Sequence, residues 1–283
     1  MSLPRASSVS AWSHPIARLL LAFPLLLLPA LAGSQEPPSP GAGHLERITA
    51  SGQVRVCIWP DYYGITYRNP KTLELSGIDI DLARELAKDL GVGVTFVDSS
   101  FARLIEDVTT DRCDVAMFAI GNTPPRAAHL RFTRPHLRSD IYAITTLSNR
   151  RIKTWDDIDR PGVLVAVAKG TLHESVMKDK LQAATLLVLD TPHAREQEVE
   201  SGRADVFMTD FPYSKRMLAN TDWARLITPP TTYHLTPYGY AVAPGDEAWL
   251  ERLNRFILDI RQDGRLLAAA KRFQLDPIVV LDD

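Results

Sequence analysis

The sequence predicts an α/β fold made of two similar lobes, and three observations lead to this prediction. Short runs rich in β-branched residues alternate with amphipathic helical segments from Val54 onward. The same alternation starts again at Val163, without a fixed repeat period. An extended segment follows each unit, over residues 141–147 and 238–243. Because strands that alternate with helices build parallel sheets covered by helices, we expect two mainly parallel sheets joined by two hinge strands.

The first unit is predicted from β-rich runs and one strongly periodic helix. Its strands are predicted over residues 54–58, 92–97 and 114–120. A further β-rich run over residues 77–80 leads into a helix over residues 81–90, in which leucine recurs every four residues. Gly91 follows at the position where a helix-ending glycine belongs. A second helix is predicted over residues 102–109.

The second unit repeats this order of elements. The predicted strands cover residues 163–168, 185–189 and 205–209, and the predicted helices cover residues 172–181 and 194–201. The last forty residues are predicted to be helical, with one apolar face that ends at Gly264 and consists of Leu250, Leu253, Phe256, Ile257 and Ile260. We therefore place lobe 1 at residues 46–142, lobe 2 at residues 143–237, and a return to lobe 1 at residues 238–283.

Composition and the N-terminus indicate an exported protein. The 283 residues carry 32 basic and 34 acidic side chains, a balance that gives no reason to expect nucleic acid as a partner. Arg5 and Arg18 flank an apolar run over residues 19–28, and Ala-Leu-Ala ends at Ala32. This pattern predicts a signal peptide over residues 1–32 and a disordered, proline-rich lead-in over residues 33–45. An uncleaved membrane anchor is the alternative.

Two cysteines, Cys57 and Cys113, lie in apolar strand-like runs. An oxidising compartment would allow them to pair, but free cysteines at such positions also behave as small buried hydrophobic residues. The sequence leaves both possibilities open. Since the seven histidines are scattered and no G-x-S-x-G, P-loop, H-E-x-x-H or C-x-x-C motif occurs, we expect neither a metal nor a cofactor. His173 is the histidine nearest to a candidate cleft turn.

A family resemblance rests on several short motifs in a defined order. They are Tyr62 after the first strand, GIDIDLA at 77–83, CDVA at 113–116, NTPPR at 122–126, FTRP at 132–135, KGT at 169–171, and GRADV at 202–206 followed by Asp210. Together they resemble bacterial extracellular solute-binding proteins of family 3, the periplasmic amino-acid-binding proteins of ABC transporters. The resemblance covers residues 46–273. It implies a type II periplasmic-binding-protein fold, a monomer, an amino-acid-like ligand in the cleft and an ABC permease of the inner membrane as partner.

The resemblance also implies two charged ligand contacts. Arg126 corresponds to the arginine that binds the ligand's α-carboxylate, because a guanidinium matches a carboxylate with two parallel hydrogen bonds. Asp210 corresponds to the aspartate that binds the α-amino group. The alternatives are a solvated surface arginine and an aspartate that only caps the helix after it.

The turn from Gly170 to Leu172 opens a helix, and its backbone N–H groups and helix dipole favour an anion. Thr171 also fits a capping box with Glu174. Two positions depart from the family: Gly121 replaces a usual serine or threonine, and Leu172 replaces an often polar residue. Thr123 keeps a hydroxyl group in the same loop as Gly121.

Aromatic residues complete the predicted site. Tyr62 and Phe101 match positions that hold the ligand side chain between flat rings, although either could be part of the core. Trp59 stands where family members with cationic ligands often have an acid, so a neutral, apolar or aromatic ligand is favoured over lysine or arginine.

Two other functions remain open. Cyclohexadienyl dehydratases resemble this family and use a glutamate after the glycine–threonine turn as a general acid, a position that Glu174 would fill. A periplasmic sensor or accessory protein is the third possibility.

Overall fold

The computed structural model describes residues 43–191 and 193–282. The predicted signal peptide and most of the predicted lead-in lie outside this part of the chain. Among the helices that the structure describes, none is both long and apolar enough to cross a membrane.

The bounds of the elements follow the chain in order. The strands are β1 (Gln53–Ile58), β2 (Asp61–Tyr62), β3 (Thr66–Arg68), β4 (Leu75–Ser76), β5 (Gly93–Asp98), β6 (Val115–Gly121), β7 (Arg131–Phe132), β8 (Leu137–Ser139), β9 (Ile141–Thr146), β10 (Leu164–Ala168), β11 (Thr185–Leu189), β12 (Val206–Asp210), β13 (Ala224–Ile227) and β14 (Thr236–Val242). The helices are α1 (His44–Ser51), α2 (Ile78–Leu90), α3 (Leu104–Thr109), α4 (Pro124–Ala127), α5 (Leu172–Lys180), α6 (Ala194–Glu200), α7 (Phe211–Asn220), α8 (Glu247–Gln262) and α9 (Arg265–Arg272).

Lobe 1 is built on a six-stranded sheet in the order β5-β1-β6-β14-β7, with β8 also paired to β14. β1 runs parallel to β5 and β6, whereas β14 runs antiparallel to β6. All seven residues of β6 are buried, as expected for a central strand covered on both faces. A small antiparallel sheet of β2, β3 and β4 belongs to the same lobe.

Lobe 2 is built on a five-stranded sheet in the order β11-β10-β12-β9-β13. β10 runs parallel to β11 and β12, and β9 runs antiparallel to β12 and β13. The α/β, two-lobed fold is therefore as predicted, but each sheet mixes parallel and antiparallel pairs and is not mainly parallel. Each extended segment lies within one sheet, β9 in lobe 2 and β14 in lobe 1. The lobe boundaries near residues 142 and 237 stay a prediction.

Asp140 links the two segments that cross between the lobes. It stands between β8 and β9, and its carboxylate accepts hydrogen bonds from the N–H groups of Tyr233 at 2.9 Å and His234 at 2.7 Å. Both donors lie just before β14, so one side chain holds the two crossings together.

The β-rich run at residues 77–80 is not a strand: Ile78 begins α2. Gly77 has φ +132°, and a Cβ atom there would lie 2.1 Å from the carbonyl oxygen of Ile65, so only glycine fits this turn. Asp79 is fully buried and accepts hydrogen bonds from the N–H of Ala119 at 2.8 Å and from Tyr240 at 3.1 Å. These hydrogen bonds to distant strands hold Asp79 inside the lobe between two isoleucines. A local sequence pattern could not reveal such long-range contacts.

The C-terminal helical segment consists of two helices, which are separated at Gly264 as the sequence predicts. α8 ends at Gln262, Gly264 adopts φ +83°, and α9 starts at Arg265. The other predicted elements agree with the structure to within a few residues, and β11 matches residue for residue.

The cysteine question is answered by the strand order. Cys57 on β1 and Cys113 just before β6 form a disulfide. Both side chains are buried. β1 and β6 are parallel neighbours in the sheet, and this pairing brings the two cysteines close enough to bond.

Candidate functional site

A narrow cavity with about 20 Å³ of space open to a water-sized molecule lies between the two lobes, at the ends of β6 and β12. Most of the predicted site residues line it. These are Trp59, Tyr62, Phe101, Gly121 and Arg126 from lobe 1, and Thr171, Leu172 and Asp210 from lobe 2. The sheets thus bring together residues that lie up to 151 positions apart in the sequence, as expected for ligand sites at strand ends in α/β folds.

Arg126 is held on α4, a short helix that begins with Pro124. Its side chain is only 6% exposed, so the surface alternative is wrong. Its guanidinium donates to the carbonyl oxygens of Gly121 and Gly170, both at 2.9 Å, and lies 5.0 Å from the ring centre of Phe101. Burial lowers the pKa of Arg126 to about 10, which still leaves it charged at neutral pH. Among the described residues no carboxylate forms an ion pair with it.

Asp210 is the last residue of β12 and is 1% exposed. One carboxylate oxygen accepts hydrogen bonds from the hydroxyl groups of Tyr62 and Tyr238, the latter at 3.0 Å. The other oxygen accepts from the N–H of Tyr213 at 3.1 Å and so caps α7. Burial raises the pKa of Asp210, and these hydrogen bonds oppose the rise. The capping role therefore coexists with a position in the cavity wall.

The glycine–threonine turn meets lobe 1 directly. A Cβ atom on Gly170 would lie 2.5 Å from the backbone of Ala102, which leaves room only for glycine at this contact. The Thr171 hydroxyl accepts from the N–H of Glu174, which is one half of the predicted capping box. The other half is displaced, because the Glu174 carboxylate accepts from the N–H of Gly170, at 2.6 Å, and not from that of Thr171.

Glu174 lies outside the cavity between the lobes. Its carboxylate lies at an outer groove, where it pairs with Lys178. This groove adjoins the cavity and shares Phe101, Arg126, Thr171 and Leu172 with it. Burial raises its pKa, but the hydrogen bonds from Lys178 and Gly170 outweigh burial and lower it overall. Thr123 lines the same outer groove and not the cavity itself, so its role as a ligand contact stays a prediction. Thr123 precedes α4 without a side-chain cap.

Three aromatic rings form one wall of the cavity. The ring centre of Trp59 lies 5.4 Å from that of Tyr62 and 5.2 Å from that of Phe101. Tyr62 and Phe101 are 6.0 Å apart, in an edge-to-face arrangement. Tyr62 and Phe101 can therefore contact a ligand and pack against the core at the same time.

Sequence reasoning missed several residues of the cavity wall. They are Ala119, His173, Arg195, Thr209, Tyr213 and Tyr238. Arg195 is buried and bound to its neighbour Glu196 at 2.7 Å, an ion pair that leaves no net charge. Only His173 carried a signal, its place one residue beyond the Gly170–Leu172 turn. The tyrosines enter the site through strand and helix packing that has no local signature.

A second cavity, with about 90 Å³ of space open to a water-sized molecule, adjoins the first. The two share Trp59, Phe101, Thr171, Arg195 and Tyr213. At its edge, His193 of lobe 2 lies 3.5 Å from Asp61 of lobe 1. The lobes are therefore in contact on both sides of the aromatic wall.

Comparison with known proteins places this geometry in a family. Residues 54–276 match the profile of the bacterial extracellular solute-binding proteins, family 3. Cyclohexadienyl dehydratase from Pseudomonas aeruginosa is 30% identical over 249 residues, which cover 88% of this chain and 91% of that protein. The L-cystine-binding protein TcyJ from Escherichia coli is 24% identical over 232 residues, covering 82% of this chain and 86% of that protein.

A solved structure agrees with the sequence comparisons. The crystal structure of the ancestral amino acid-binding protein AncCDT-1, described as a precursor of cyclohexadienyl dehydratase, superposes with a TM-score of 0.74 at 30% identity. The match covers 82% of this chain and 99% of the ancestral protein. Since the family profile spans most of the sequence and both lobes, this chain belongs to the bacterial extracellular solute-binding proteins, family 3.

Proposed function

We propose that this protein is a periplasmic solute-binding protein that captures an amino-acid-like zwitterion between its lobes and delivers it to an ABC importer. One observation carries the proposal. Arg126 and Asp210, of opposite charge and both buried, line the same cavity from different lobes. An α-amino acid carries the complementary pair of charges at a fixed spacing, so it can bind both.

The chemistry of each contact supports this assignment. A ligand carboxylate would accept hydrogen bonds from the Arg126 guanidinium, which has no carboxylate partner among the described residues. A ligand ammonium would favour the ionised form of Asp210, whose pKa burial raises. Buried charges are costly without partners, so a ligand lacking either charge would bind poorly.

Lobe closure follows from contacts that already cross the cleft. Arg126 donates to the carbonyl oxygen of Gly170, and Tyr62 donates to Asp210, each from lobe 1 to lobe 2. A ligand that touches both lobes stabilises this closed arrangement over an open one by differential contact. The closed shape is what a permease would recognise.

Export to the periplasm is supported by two independent features. The predicted signal peptide over residues 1–32 would direct secretion, and the Cys57–Cys113 disulfide suits an oxidising compartment. Members of the family are extracellular or periplasmic binding proteins.

A thermal-shift screen of L-amino acids and related small acids tests the proposal. At least one compound is expected to raise the unfolding temperature of the wild-type protein. Arg126→Ala should abolish that shift while the ligand-free protein stays folded, because the substitution removes the carboxylate partner. Arg84→Ala, an exposed arginine of α2, serves as the matched control and should keep the full shift. An unchanged shift in Arg126→Ala would rule out the carboxylate role.

A dehydratase is the second candidate, since a relative that is 30% identical carries that name. The geometry speaks against Glu174 as its general acid: the carboxylate lies outside the cavity and its pKa is lowered, so it is ionised at neutral pH. Incubation of the purified protein with prephenate or arogenate decides between the two functions. Turnover that is lost in Glu174→Gln would establish the enzyme and displace the binding proposal.

A further inference from the structure

Two buried polar side chains in the cavity between the lobes have no hydrogen-bond partner among the residues that the structure describes. His173 is 8% exposed, and neither ring nitrogen makes a hydrogen bond of acceptable geometry within the described part of the chain, although the backbone of Thr209 approaches the ring. The hydroxyl oxygen of Thr209 is equally buried and equally without a partner there. Both residues line the same cavity as Arg126 and Asp210.

This situation differs from that of the other fully buried histidine. His136 lies in lobe 1 with its Nε2 atom 2.8 Å from Asp79, and within the described residues only its Nδ1 atom is without a partner. Buried polar groups in folded proteins are nearly always paired, because a buried donor or acceptor without a partner is unfavourable. Two such groups in one cavity between the lobes therefore indicate contacts that a ligand completes.

Helix geometry explains why the imidazole faces the cavity. Thr171 caps α5, so His173 and Glu174 occupy its second and third positions, about 100° apart around the helix axis. The Glu174 side chain turns back to the N–H of Gly170 and to Lys178. The imidazole of His173 lies on the side of α5 that faces the cavity.

The surrounding charges define what the imidazole can bind. Arg195 from α6, Arg126 from α4 and His234 from the segment before β14 act on His173, and each disfavours its protonated form. A neutral imidazole offers one donor and one acceptor, and the threonine hydroxyl also offers both. Neither group carries a charge with which to pair an ion, so an uncharged polar group of the ligand suits both.

We propose that His173 and Thr209 form a polar subsite that hydrogen-bonds an uncharged hydroxyl or carboxamide group in the ligand's side chain. His173 is then a specificity-determining residue, which selects ligands able to donate and accept at once. The proposal rests on the proposed function of the cavity as an amino-acid site. It adds to that function the chemical class of the group that the ligand's side chain carries.

The experiment is isothermal titration of the wild-type protein with two sets of L-amino acids. The polar set is serine, threonine, asparagine, glutamine and tyrosine, and the apolar set is leucine, methionine and phenylalanine. The wild type is expected to bind a member of the polar set best. His173→Leu and Thr209→Val should each weaken that binding at least 10-fold, and His173→Gln, which keeps a donor and an acceptor, should restore part of it.

Stability of the ligand-free variants separates this role from a structural one. Because His173 and Thr209 lack partners, His173→Leu and Thr209→Val should leave the unfolding temperature unchanged or raise it. His136→Leu, which removes a paired buried imidazole, should lower it. The exposed His129→Leu should change neither stability nor binding.

The outcomes distinguish the inference from the proposed function. If His173→Leu binds the polar ligand as tightly as the wild type while Arg126→Ala does not bind it, the subsite is overturned and the amino-acid site stands. A preference of the wild type for the apolar set, or a fall in the unfolding temperature of both cavity variants, also overturns the subsite. A wild type that binds neither set overturns the subsite, and it overturns the proposed function as well if the thermal-shift screen also finds no ligand.

Discussion

The buried imidazole of His173 makes a testable contribution to acid stability. In the ligand-free folded protein its pKa is lowered from 6.5 to about 3, chiefly by burial and next by the charge of Arg195. Arg126 and His234 act in the same direction, whereas the backbone of Thr209 opposes them. The perturbation is His173→Leu, which removes the titrating group and keeps an apolar side chain in its place.

The sign and size follow from proton binding. Between pH 3 and pH 6.5 the unfolded chain binds a proton at this histidine and the folded chain does not, so stability falls as the pH falls through this window. The slope reaches about 1.4 kcal/mol per pH unit. From pH 7 to pH 5, a folded pKa of about 3 against 6.5 corresponds to a loss of about 2 kcal/mol. His173→Leu cannot show this loss.

The assay is urea unfolding followed by tryptophan fluorescence at pH 7, 6 and 5, without ligand. The wild type should lose about 2 kcal/mol more unfolding free energy over this range than His173→Leu. His129→Leu, an exposed histidine, should follow the wild type. Parallel curves for the wild type and His173→Leu would refute the reasoning, because they would mean that the ring takes up a proton in the folded state as readily as in the unfolded state.

Two further predictions concern the contact between the lobes and the disulfide. Gly170→Ala places a Cβ atom 2.5 Å from the backbone of Ala102, so it should hold the lobes apart and weaken ligand binding at least 10-fold. Small-angle scattering with ligand should show a larger radius of gyration for this variant than for the wild type. An unchanged affinity would contradict the prediction. The Cys57→Ala, Cys113→Ala double variant opens a cross-link over 56 residues and should lose about 2–4 kcal/mol of unfolding free energy. Reductant should destabilise the wild type by a similar amount and leave the double variant unchanged, whereas equal sensitivity of both would exclude the disulfide as the cause.

Several features of the site could be predicted from the sequence because they depend on local pattern. The turn at Gly170 and the cap at Thr171 follow from residue types that favour such backbone conformations. Arg126 and Asp210 were found from motifs whose spacing carries the family's geometry. The structure brings both into one cavity wall.

Other features depended on packing that no local pattern contains. Residues 77–80 alternate like a strand, yet Ile78 begins a helix because Asp79 is drawn into contacts with strands far away in the sequence. The pairing of Cys57 with Cys113 depended on β1 and β6 being neighbours in the sheet.

The sequence by itself predicted the main alternating strands and helices of both lobes, because hydrophobic periodicity and turn residues are local properties. The charged residues of the candidate site came from the family resemblance that the motifs carry. Only the tertiary structure decided that His173 faces the cavity and Glu174 does not. The two are adjacent on one helix, and the way α5 lies against the opposite lobe determines which of them meets a ligand. That orientation is set by contacts between residues far apart in the chain.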